Sequence, residues 1–107
     1  MFKTIILLQR RENMPNDDFL KYWANVHAPL ASRLPGLRRY VQNVITYYSD
    51  STQSYNGVAE MWFDNIESMR KAFFESKEGQ ETRQDLENFV GRYTTIFADE
   101  HIVLSHT

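Results

Sequence analysis

Residues 2–9, FKTIILLQ, decide the fold because aliphatic and β-branched side chains occur at both even and odd positions of this stretch. In an extended chain these positions point to opposite faces, and a strand with water on one side alternates apolar and polar residues instead. Residues 57–63, GVAEMWF, repeat the feature, with Met61 on one parity and Trp62 on the other. The two stretches therefore predict strands of a sheet that is covered on both faces.

A long helix is predicted between these strands, from Pro15 to Arg33. Pro15 suits the first turn of a helix, where its missing N–H has no partner to lose, and Asp17 lies near the positive end of the helix dipole. Apolar side chains at helical spacing form one arc, and His27 lies within that arc. Because Pro29 cannot donate a backbone hydrogen bond, we expect the helix to kink or to end just after His27.

The second half of the chain contains further strand and helix signals. Asp64 and Glu67 have the spacing of a capping box that starts a helical segment, and Ser76 is expected to cap a further helix that ends at Gly91. β-branched side chains predict two more strands, at residues 37–48 and 93–104, and turn residues predict a polar loop at residues 50–56. The elements then follow the order β-α-β-β-α-β in a single domain over residues 1–107.

This order predicts an α+β, ferredoxin-like fold. Right-handed crossovers place both helical segments on one face of a four-stranded antiparallel sheet and leave the other face bare. Because two strands are apolar on both sides, the bare face needs cover, and a second copy of the chain can supply it through a two-fold interface. We therefore expect a homodimer through the open sheet face, with the two sheets closing a dimeric α+β barrel.

The charge and hydropathy of the chain exclude two classes of partner. The 107 residues carry 12 Lys and Arg against 14 Asp and Glu, and the scattered basic residues form no stripe that could follow a phosphate backbone, so no nucleic acid partner is expected. The longest apolar run, residues 5–8, is far too short to span a membrane, and the first residues lack the pattern of a signal peptide. We expect a cytoplasmic protein without a membrane partner.

No motif for a metal or a cofactor is present in the sequence. The chain has no cysteine, and its three histidines are too scattered to suggest a metal cluster. It also lacks a glycine-rich phosphate loop. The expected protein therefore uses no metal and no cofactor.

Four motifs stand out along the chain: F-x-x-Y-W-x-x-x-H-x-P-L at 19–30, P-G-L-x-x-Y at 35–40, N-G-V-A-E-x-W-F at 56–63 and D-x-x-x-F at 85–89. Together they resemble the EthD family, small proteins named after a component of ethyl tert-butyl ether degradation. The resemblance implies a ferredoxin-like dimeric barrel. It does not imply one reaction, since relatives of this family and fold include muconolactone-type isomerases, polyketide cyclases and decarboxylases, and cofactor-independent monooxygenases.

His27 is the first candidate for chemistry, because its place on the apolar arc points the imidazole at the sheet. A packed histidine that hydrogen-bonds to a strand or to carbonyls freed near Pro29 would satisfy the pattern. A general acid or base would also satisfy it, because imidazole exchanges protons near neutral pH. The EthD-like motif favours the second interpretation, in which His27 is catalytic.

Glu60 is the second candidate, since a carboxylate in the middle of an apolar strand must be paired, protonated or solvated. We expect Glu60 and Trp62 to line a pocket between the first helix and the sheet, where Glu60 would orient His27 and Trp62 would contact the substrate. A surface glutamate near a frayed strand end is the alternative. Asp85, although part of the last motif, is assigned a structural role.

Aromatic residues complete the candidate site. Tyr40, just beyond the Pro-Gly turn, could donate a hydrogen bond to a developing oxyanion, and we assign it to the catalytic group. Tyr22 and Trp23 are expected to contact the substrate, Trp23 as a flat apolar wall. Aromatic residues at helical spacing also occur as ordinary core, and Tyr22, at the edge of the arc, could serve the fold or the dimer instead.

These residues predict a cofactor-independent enzyme, a proton-transfer isomerase or lyase, that acts on a small cyclic or aromatic metabolite. His27 would move the proton, Tyr40 would bind the oxyanion and Glu60 would orient the imidazole. A cofactor-free monooxygenase could use the same pocket. A non-catalytic protein that binds a small hydrophobic ligand for a degradation or biosynthesis pathway is the alternative from another class, and an assembly module without a pocket is a third.

Overall fold

The computed structural model describes residues 1–49 and 54–106. Within these residues the strands are β1 (Phe2–Arg10), β2 (Arg39–Val44), β3 (Gly57–Phe63) and β4 (Val90–Asp99). The helices are α1 (Asn16–Tyr22), α2 (Ala28–Ala31), α3 (Ile66–Phe74) and α4 (Lys77–Asp85), with a π turn (Trp23–His27) between α1 and α2 and a 3-10 turn (Leu86–Asn88) after α4. The order confirms the predicted β-α-β-β-α-β arrangement.

The strands form one antiparallel sheet in the order β2-β3-β1-β4. β1 and β3, the two strands with apolar residues at both parities, are the inner strands. In the middle of β1, Ile6 pairs with Ala59 of β3 on one side and with Thr95 of β4 on the other. The four-stranded antiparallel sheet of a ferredoxin-like fold is therefore confirmed.

The helices cover one face of this sheet, as predicted. Helix and strand side chains share two buried clusters. One joins β1 and β3 to α2 and α3 through Phe2, Met61, Phe63, Ala31, Met69 and Phe73. The other lies under α1 and the π turn and contains Leu8, Ala59, Phe19, Trp23 and Phe89. The odd-numbered residues of β3 therefore face the helices, and its even-numbered residues lie on the open face.

The helix irregularity expected near Pro29 is a π turn that lies N-terminal to Pro29. Helical backbone continues through Pro29 to Ala31, so the expected early end is wrong. Within the turn, the N–H of Ala28 donates to the carbonyl of Trp23, five residues earlier. A π turn accommodates one extra residue per turn, and such turns are frequent at functional sites. This one carries His27 at its last position.

The cap of α3 lies one residue later than predicted. Asn65 is the N-cap, and its side-chain oxygen accepts a backbone N–H of the first turn at 2.8 Å. Asp64 instead accepts two hydrogen bonds from Arg38, each at 3.0 Å, which ties the start of α3 to the residue before β2. Ser76 caps α4 as predicted and accepts the N–H of Gly79 at 2.9 Å.

β2 is shorter than the predicted residues 37–48 because its partner is short. Val44, the last residue of β2, pairs with Gly57, the first residue of β3, and one further backbone hydrogen bond follows, from the N–H of Ile45 to the carbonyl of Asn56 at 3.1 Å. The polar loop predicted at residues 50–56 lies partly outside the described residues, which resume at Ser54.

β4 lies earlier than the predicted residues 93–104. It begins at Val90, which pairs with Arg10, so the preceding helical region ends before Gly91. It stops at Asp99 because Asp99 pairs with Phe2, where β1 itself begins. In the ranges that the structure describes, no helix is long and apolar enough to cross a bilayer.

Candidate functional site

A cavity of about 190 Å³ lies between the sheet and the helices. Its floor is formed by β1 and β3, and the π turn, α3, α4 and β4 supply its walls. Most of the lining is apolar, with Ile6, Leu8, Ala59, Met61, Met69 and Phe73 among its residues. An apolar cavity of roughly 150 Å³ can hold a benzene ring. The cavity therefore has room for one ring with small substituents.

His27 is brought to this cavity by the π turn. The residue is 4% exposed and its imidazole packs against the ring of Phe89, with 4.9 Å between the ring centroids. Nδ1 of His27 lies 2.8 Å from Oδ2 of Asp85. Nε2, on the other side of the ring, makes no hydrogen bond to any residue of 1–49 or 54–106. The imidazole thus has one nitrogen held by a carboxylate and one left for a ligand.

The π turn is tied to the sheet by contacts of Trp23. Gln42 of β2 donates from Nε2 to the carbonyl of Trp23 at 3.0 Å. The Trp23 indole crosses β3 at Gly57, where a Cβ would lie 2.5 Å from two ring carbons. Only glycine gives the indole this close approach. Trp23 also lines the cavity.

Asp85, the last residue of α4, is the partner that sequence reasoning assigned to a structural role. Its Oδ1 accepts from Tyr22 Oη at 2.6 Å and from Asn88 Nδ2 at 2.9 Å, while its Oδ2 faces His27. Burial raises the pKa of Asp85, but the hydrogen bonds from Tyr22, Asn88 and His27 outweigh it and lower the pKa below 3.8. The carboxylate is therefore ionised at neutral pH. Since an ionised carboxylate can only accept, Nδ1 of His27 carries the proton.

The pKa of His27 is shifted down from 6.5. Burial is the largest cause, because it disfavours the charged imidazolium, and the hydrogen bond and charge of Asp85 oppose it. At neutral pH the imidazole is neutral, with a lone pair on Nε2. A neutral imidazole next to an ionised, hydrogen-bonded carboxylate can accept a proton and hold the resulting charge.

Tyr40 also lines the cavity. Its Oη accepts a hydrogen bond from Gln42 Nε2 at 2.9 Å, and burial raises the pKa of the phenol although the Gln42 contact lowers it. The phenol stays protonated at neutral pH and keeps its proton available to a ligand oxygen. The structure thus brings Tyr40, Trp23 and His27, three of the predicted site residues, to one cavity.

Tyr22 has a different position from the expected one. It does not line the cavity among the residues described, and its ring packs on Phe89 with 5.0 Å between centroids. Its hydroxyl donates a hydrogen bond to Oδ1 of Asp85 at 2.6 Å. Tyr22 therefore holds the carboxylate that orients His27, and its predicted contact with the substrate is corrected to a contact with Asp85.

Glu60 and Trp62 lie on the open face of the sheet, away from His27, so their expected place in the helix-side pocket is wrong. The helices pack over the odd-numbered residues of β3, and Glu60 and Trp62 have the opposite parity. Glu60 accepts from Lys3 Nζ and from Asn43 Nδ2, both at 2.9 Å. The Lys3 hydrogen bond is the main reason that the pKa of Glu60 is lowered. Glu60 is ion-paired and cannot orient His27.

Trp62 is covered by two cations on that same face. Lys3 Nζ lies 5.0 Å and Arg39 Cζ 4.7 Å from the indole ring, and Trp62 is only 7% exposed. Cations over a tryptophan face are attracted by its ring quadrupole. The indole is therefore packed under basic side chains rather than offered to a ligand.

Several polar lining residues were missed by sequence reasoning: Thr4, Thr82, Arg83, Tyr93 and Thr95. Thr4 is the polar member of the inward-facing set of β1, and its presence among Phe2, Ile6 and Leu8 was a signal that could have marked it. Arg83, on α4, lines the cavity with a cationic side chain. Helical spacing alone gives no signal for Arg83, because the same spacing is typical of solvent-exposed charge.

The described residues contain no group of three His, Cys, Asp or Glu side chains placed to hold a metal ion. The α+β fold, with helices over one face of an antiparallel sheet and a cavity beneath them, defines a ferredoxin-like protein. The sequence profile of the EthD domain matches residues 11–92, more than half of the chain. The chain belongs to the EthD family.

Solved structures share this fold. An ethyl tert-butyl ether degradation (EthD) family protein, BH0200 from Bacillus halodurans C-125, is 28% identical, with 94% of this chain and 99% of that chain covered and a TM-score of 0.83. A dimeric ferredoxin-like protein of unknown function from Bacteroides fragilis is 15% identical, covers 92% of this chain and 95% of its own, and has a TM-score of 0.68.

SnoaB from Streptomyces nogalater, described as a cofactor-independent oxygenase, is 12% identical, with 98% of this chain and 97% of that chain covered and a TM-score of 0.68. At these low identities the last two comparisons establish the fold alone. No curated protein matches the chain by sequence.

Proposed function

We propose that this EthD protein is a cofactor-independent enzyme that moves a proton at an acidic carbon of a small cyclic or aromatic metabolite. One observation carries the proposal: a neutral imidazole, oriented by Asp85 through Nδ1, lines an apolar cavity of about 190 Å³.

His27 is the proposed base. Nδ1–H donates to Asp85, which leaves the Nε2 lone pair to accept a proton from a carbon atom of the bound ligand. The imidazolium that results lies 2.8 Å from the Asp85 carboxylate, so its charge is balanced at the moment it forms. The same proton can return to another atom of the ligand, which is the chemistry of an isomerase or a lyase.

Tyr40 is the proposed oxyanion donor. Removing a proton next to a carbonyl places negative charge on the carbonyl oxygen, and a positioned hydroxyl in an apolar cavity stabilises that charge more than water does. Tyr40 lines the cavity, and Gln42 holds its hydroxyl oxygen by donating to it. This contact leaves the phenol proton free to point elsewhere.

Two other functions would use the same cavity. Deprotonation of an electron-rich ring also prepares it for reaction with oxygen, and the structurally similar SnoaB is described as a cofactor-independent oxygenase. Oxygen consumption would distinguish that reaction from isomerisation. A binding protein without turnover would hold the same ligands in the apolar cavity, and its affinity would survive loss of the imidazole.

The variant His27→Gln tests the proposal, because glutamine can still donate to Asp85 but is no base at neutral pH. His101→Gln, at an exposed histidine, is the matched control. Deuterium uptake from D2O into ring carbon acids such as 2(5H)-furanone and 2-cyclohexenone would be followed by NMR. We expect catalysed exchange to fall roughly 10²–10⁴-fold in His27→Gln and to be unchanged in His101→Gln. Full exchange activity in His27→Gln would contradict the assignment of His27 as the base.

We also propose that the protein is a homodimer through its open sheet face. That face carries Ile5, Leu7, Val58 and Ile96, and Ile96 is 44% exposed. Ferredoxin-like proteins of similar structure are described as dimeric, which supports the proposal. Sedimentation velocity of the Ile96→Glu variant is the test, with Ile66→Glu on the exposed side of α3 as control. Only Ile96→Glu should shift the protein to half its mass; a parent protein that sediments as a monomer contradicts the proposal.

A further inference from the structure

Arg83 is the cationic side chain at the cavity. Nε donates to the carbonyl of Phe73 at 2.9 Å, and the guanidinium carbon lies 5.3 Å from the centre of the Phe74 ring. These two contacts hold the guanidinium in place. Its terminal nitrogens bind no carboxylate in the part of the chain that the structure describes. No described carboxylate lines the cavity. The geometry leaves a cation at the edge of an apolar cavity without a carboxylate partner among the described residues.

Thr4 supplies a second unsatisfied group, on the floor. The residue is 2% exposed and pairs with Met61 and Phe97 in the middle of the sheet. Its Oγ1 is buried and has no hydrogen-bond partner among the described residues. An unpaired hydroxyl in an apolar interior is unfavourable, and such groups call for an explanation. Since Thr4 lines the cavity, a polar atom of a bound ligand would satisfy it.

The positions of these groups define the shape of a ligand. Arg83 is exposed and marks the mouth of the cavity, whereas Thr4 is buried in its floor. The space between them is lined mostly by apolar side chains, with His27 and Tyr40 among the polar ones, and has room for a single ring with small substituents. A ligand that satisfies both groups therefore has an anionic group at one end, a ring in the middle and an oxygen at the other end.

We propose that the substrate is a single-ring carboxylic acid with a hydroxyl or keto oxygen on the ring, whose carboxylate binds Arg83 and whose ring oxygen binds Thr4. This inference rests on the proposed function: the proton transfer at His27 would act on such an acid. Arg83 forms a charge-assisted pair, the kind of contact for which a guanidinium fork is well suited. Thr4 selects for the ring oxygen, and the two contacts together orient the ring in front of His27.

Binding of three matched probes tests the inference by isothermal titration calorimetry. The probes are 3-hydroxybenzoate, benzoate, which lacks the ring oxygen, and 3-hydroxybenzamide, which lacks the charge. We expect 3-hydroxybenzoate to bind about tenfold more tightly than either of the others, the equivalent of one good polar contact each. Equal affinities, or no binding of 3-hydroxybenzoate at millimolar concentration, would overturn the inference.

Variants assign each preference to its residue. Arg83→Gln should abolish the preference for the carboxylate over the amide, Arg83→Lys should keep part of it, and Arg70→Gln, at an exposed arginine of α3, should leave it unchanged. Thr4→Val should abolish the preference for the ring hydroxyl without lowering the unfolding midpoint of the free protein, because the hydroxyl has no partner to lose. Preferences that persist in Arg83→Gln and Thr4→Val would contradict the inference.

The outcomes for the reaction are separable from those for the ligand. Charge-selective binding that depends on Arg83, without deuterium exchange in any bound acid, supports this inference and contradicts the proposed reaction. Exchange into a ring carboxylic acid that depends on His27 and is as fast in Arg83→Gln as in the parent supports the reaction and contradicts this inference.

Discussion

The substitution Asp85→Asn removes the charge that holds His27 while keeping the shape of the side chain. In the parent protein, Asp85 Oδ2 lies 2.8 Å from His27 Nδ1, and Oδ1 lies 2.6 Å from Tyr22 Oη. An asparagine whose oxygen accepts from Tyr22 turns its amide N–H₂ toward His27, so Nδ1 keeps a hydrogen bond only if the ring proton moves to Nε2. Both hydrogen bonds lose the charge of the carboxylate.

The size of the effect follows from the burial of the partners. A hydrogen bond to a charged group contributes about 1.5–3 kcal/mol, and a neutral one about 0.5–1.5 kcal/mol. The hydrogen bond between Asp85 and His27 is buried, whereas the one from Tyr22 is half-buried. The Tyr22 hydrogen bond therefore contributes at the lower end of the range for charged groups. Water replaces the contact to the exposed Asn88. We expect the free energy of unfolding to fall by about 2–3 kcal/mol.

Urea unfolding at pH 7 measures this loss, and Tyr22→Phe, which removes one donor and leaves the carboxylate, is the control, with an expected loss of about 1.5 kcal/mol. NMR titration of the His27 ring gives a second readout. Because Asp85 raises the pKa of His27 against the effect of burial, its removal should lower that pKa further. A stability change below about 0.5 kcal/mol, or an unchanged His27 pKa, would refute the assigned contact.

Three further predictions follow from the geometry. Stability should decrease as the pH falls below 6.5, because burial lowers the native pKa of His27 and the unfolded chain takes up that proton first. It should fall again below pH 3.8, where the unfolded chain protonates Asp85 before the native protein does. Urea midpoints at pH 7, 5.5 and 3 measure both steps, and a flat profile contradicts them. Glu60→Gln should leave ligand affinity and deuterium exchange unchanged, since Glu60 contacts Lys3 on the open face; a large loss of either would return Glu60 to the site. Gly79→Ala should destabilise the protein by about 2–3 kcal/mol in thermal or urea unfolding, because a Cβ would lie 2.1 Å from the carbonyl oxygen of Ala72, and an unchanged midpoint would contradict the close packing of α3 and α4.

Much of the fold could be predicted because strand and helix patterns are local properties of the chain. The apolar parity of β1 and β3 identified the inner strands, and the turn and cap residues gave the order of elements. The ends of β2 and β4 could not be predicted in this way, because a strand stops where its neighbour stops. Asp99 ends β4 only because it pairs with Phe2, and no residue near Asp99 carries that information.

Part of the candidate site could also be predicted. The apolar arc placed His27 and Trp23 toward the sheet, and both line the cavity together with Tyr40. The choice between the two faces of β3 could not be made, since both of its parities are apolar enough to be covered. The expected partner of His27, Glu60, therefore fell on the wrong side of the sheet, and the observed partner, Asp85, was assigned elsewhere.

The sequence by itself determined which segments are strands and helices, their order, and that an imidazole lies on the buried side of the first helix, because periodicity and turn chemistry act over a few residues. Only the tertiary structure decided which carboxylate reaches that imidazole and which polar groups share its cavity. Asp85 lies 58 residues from His27 along the chain, and Thr4 and Arg83 are further apart still. Such distant side chains meet because helices and strands pack in three dimensions, and no local pattern records that meeting.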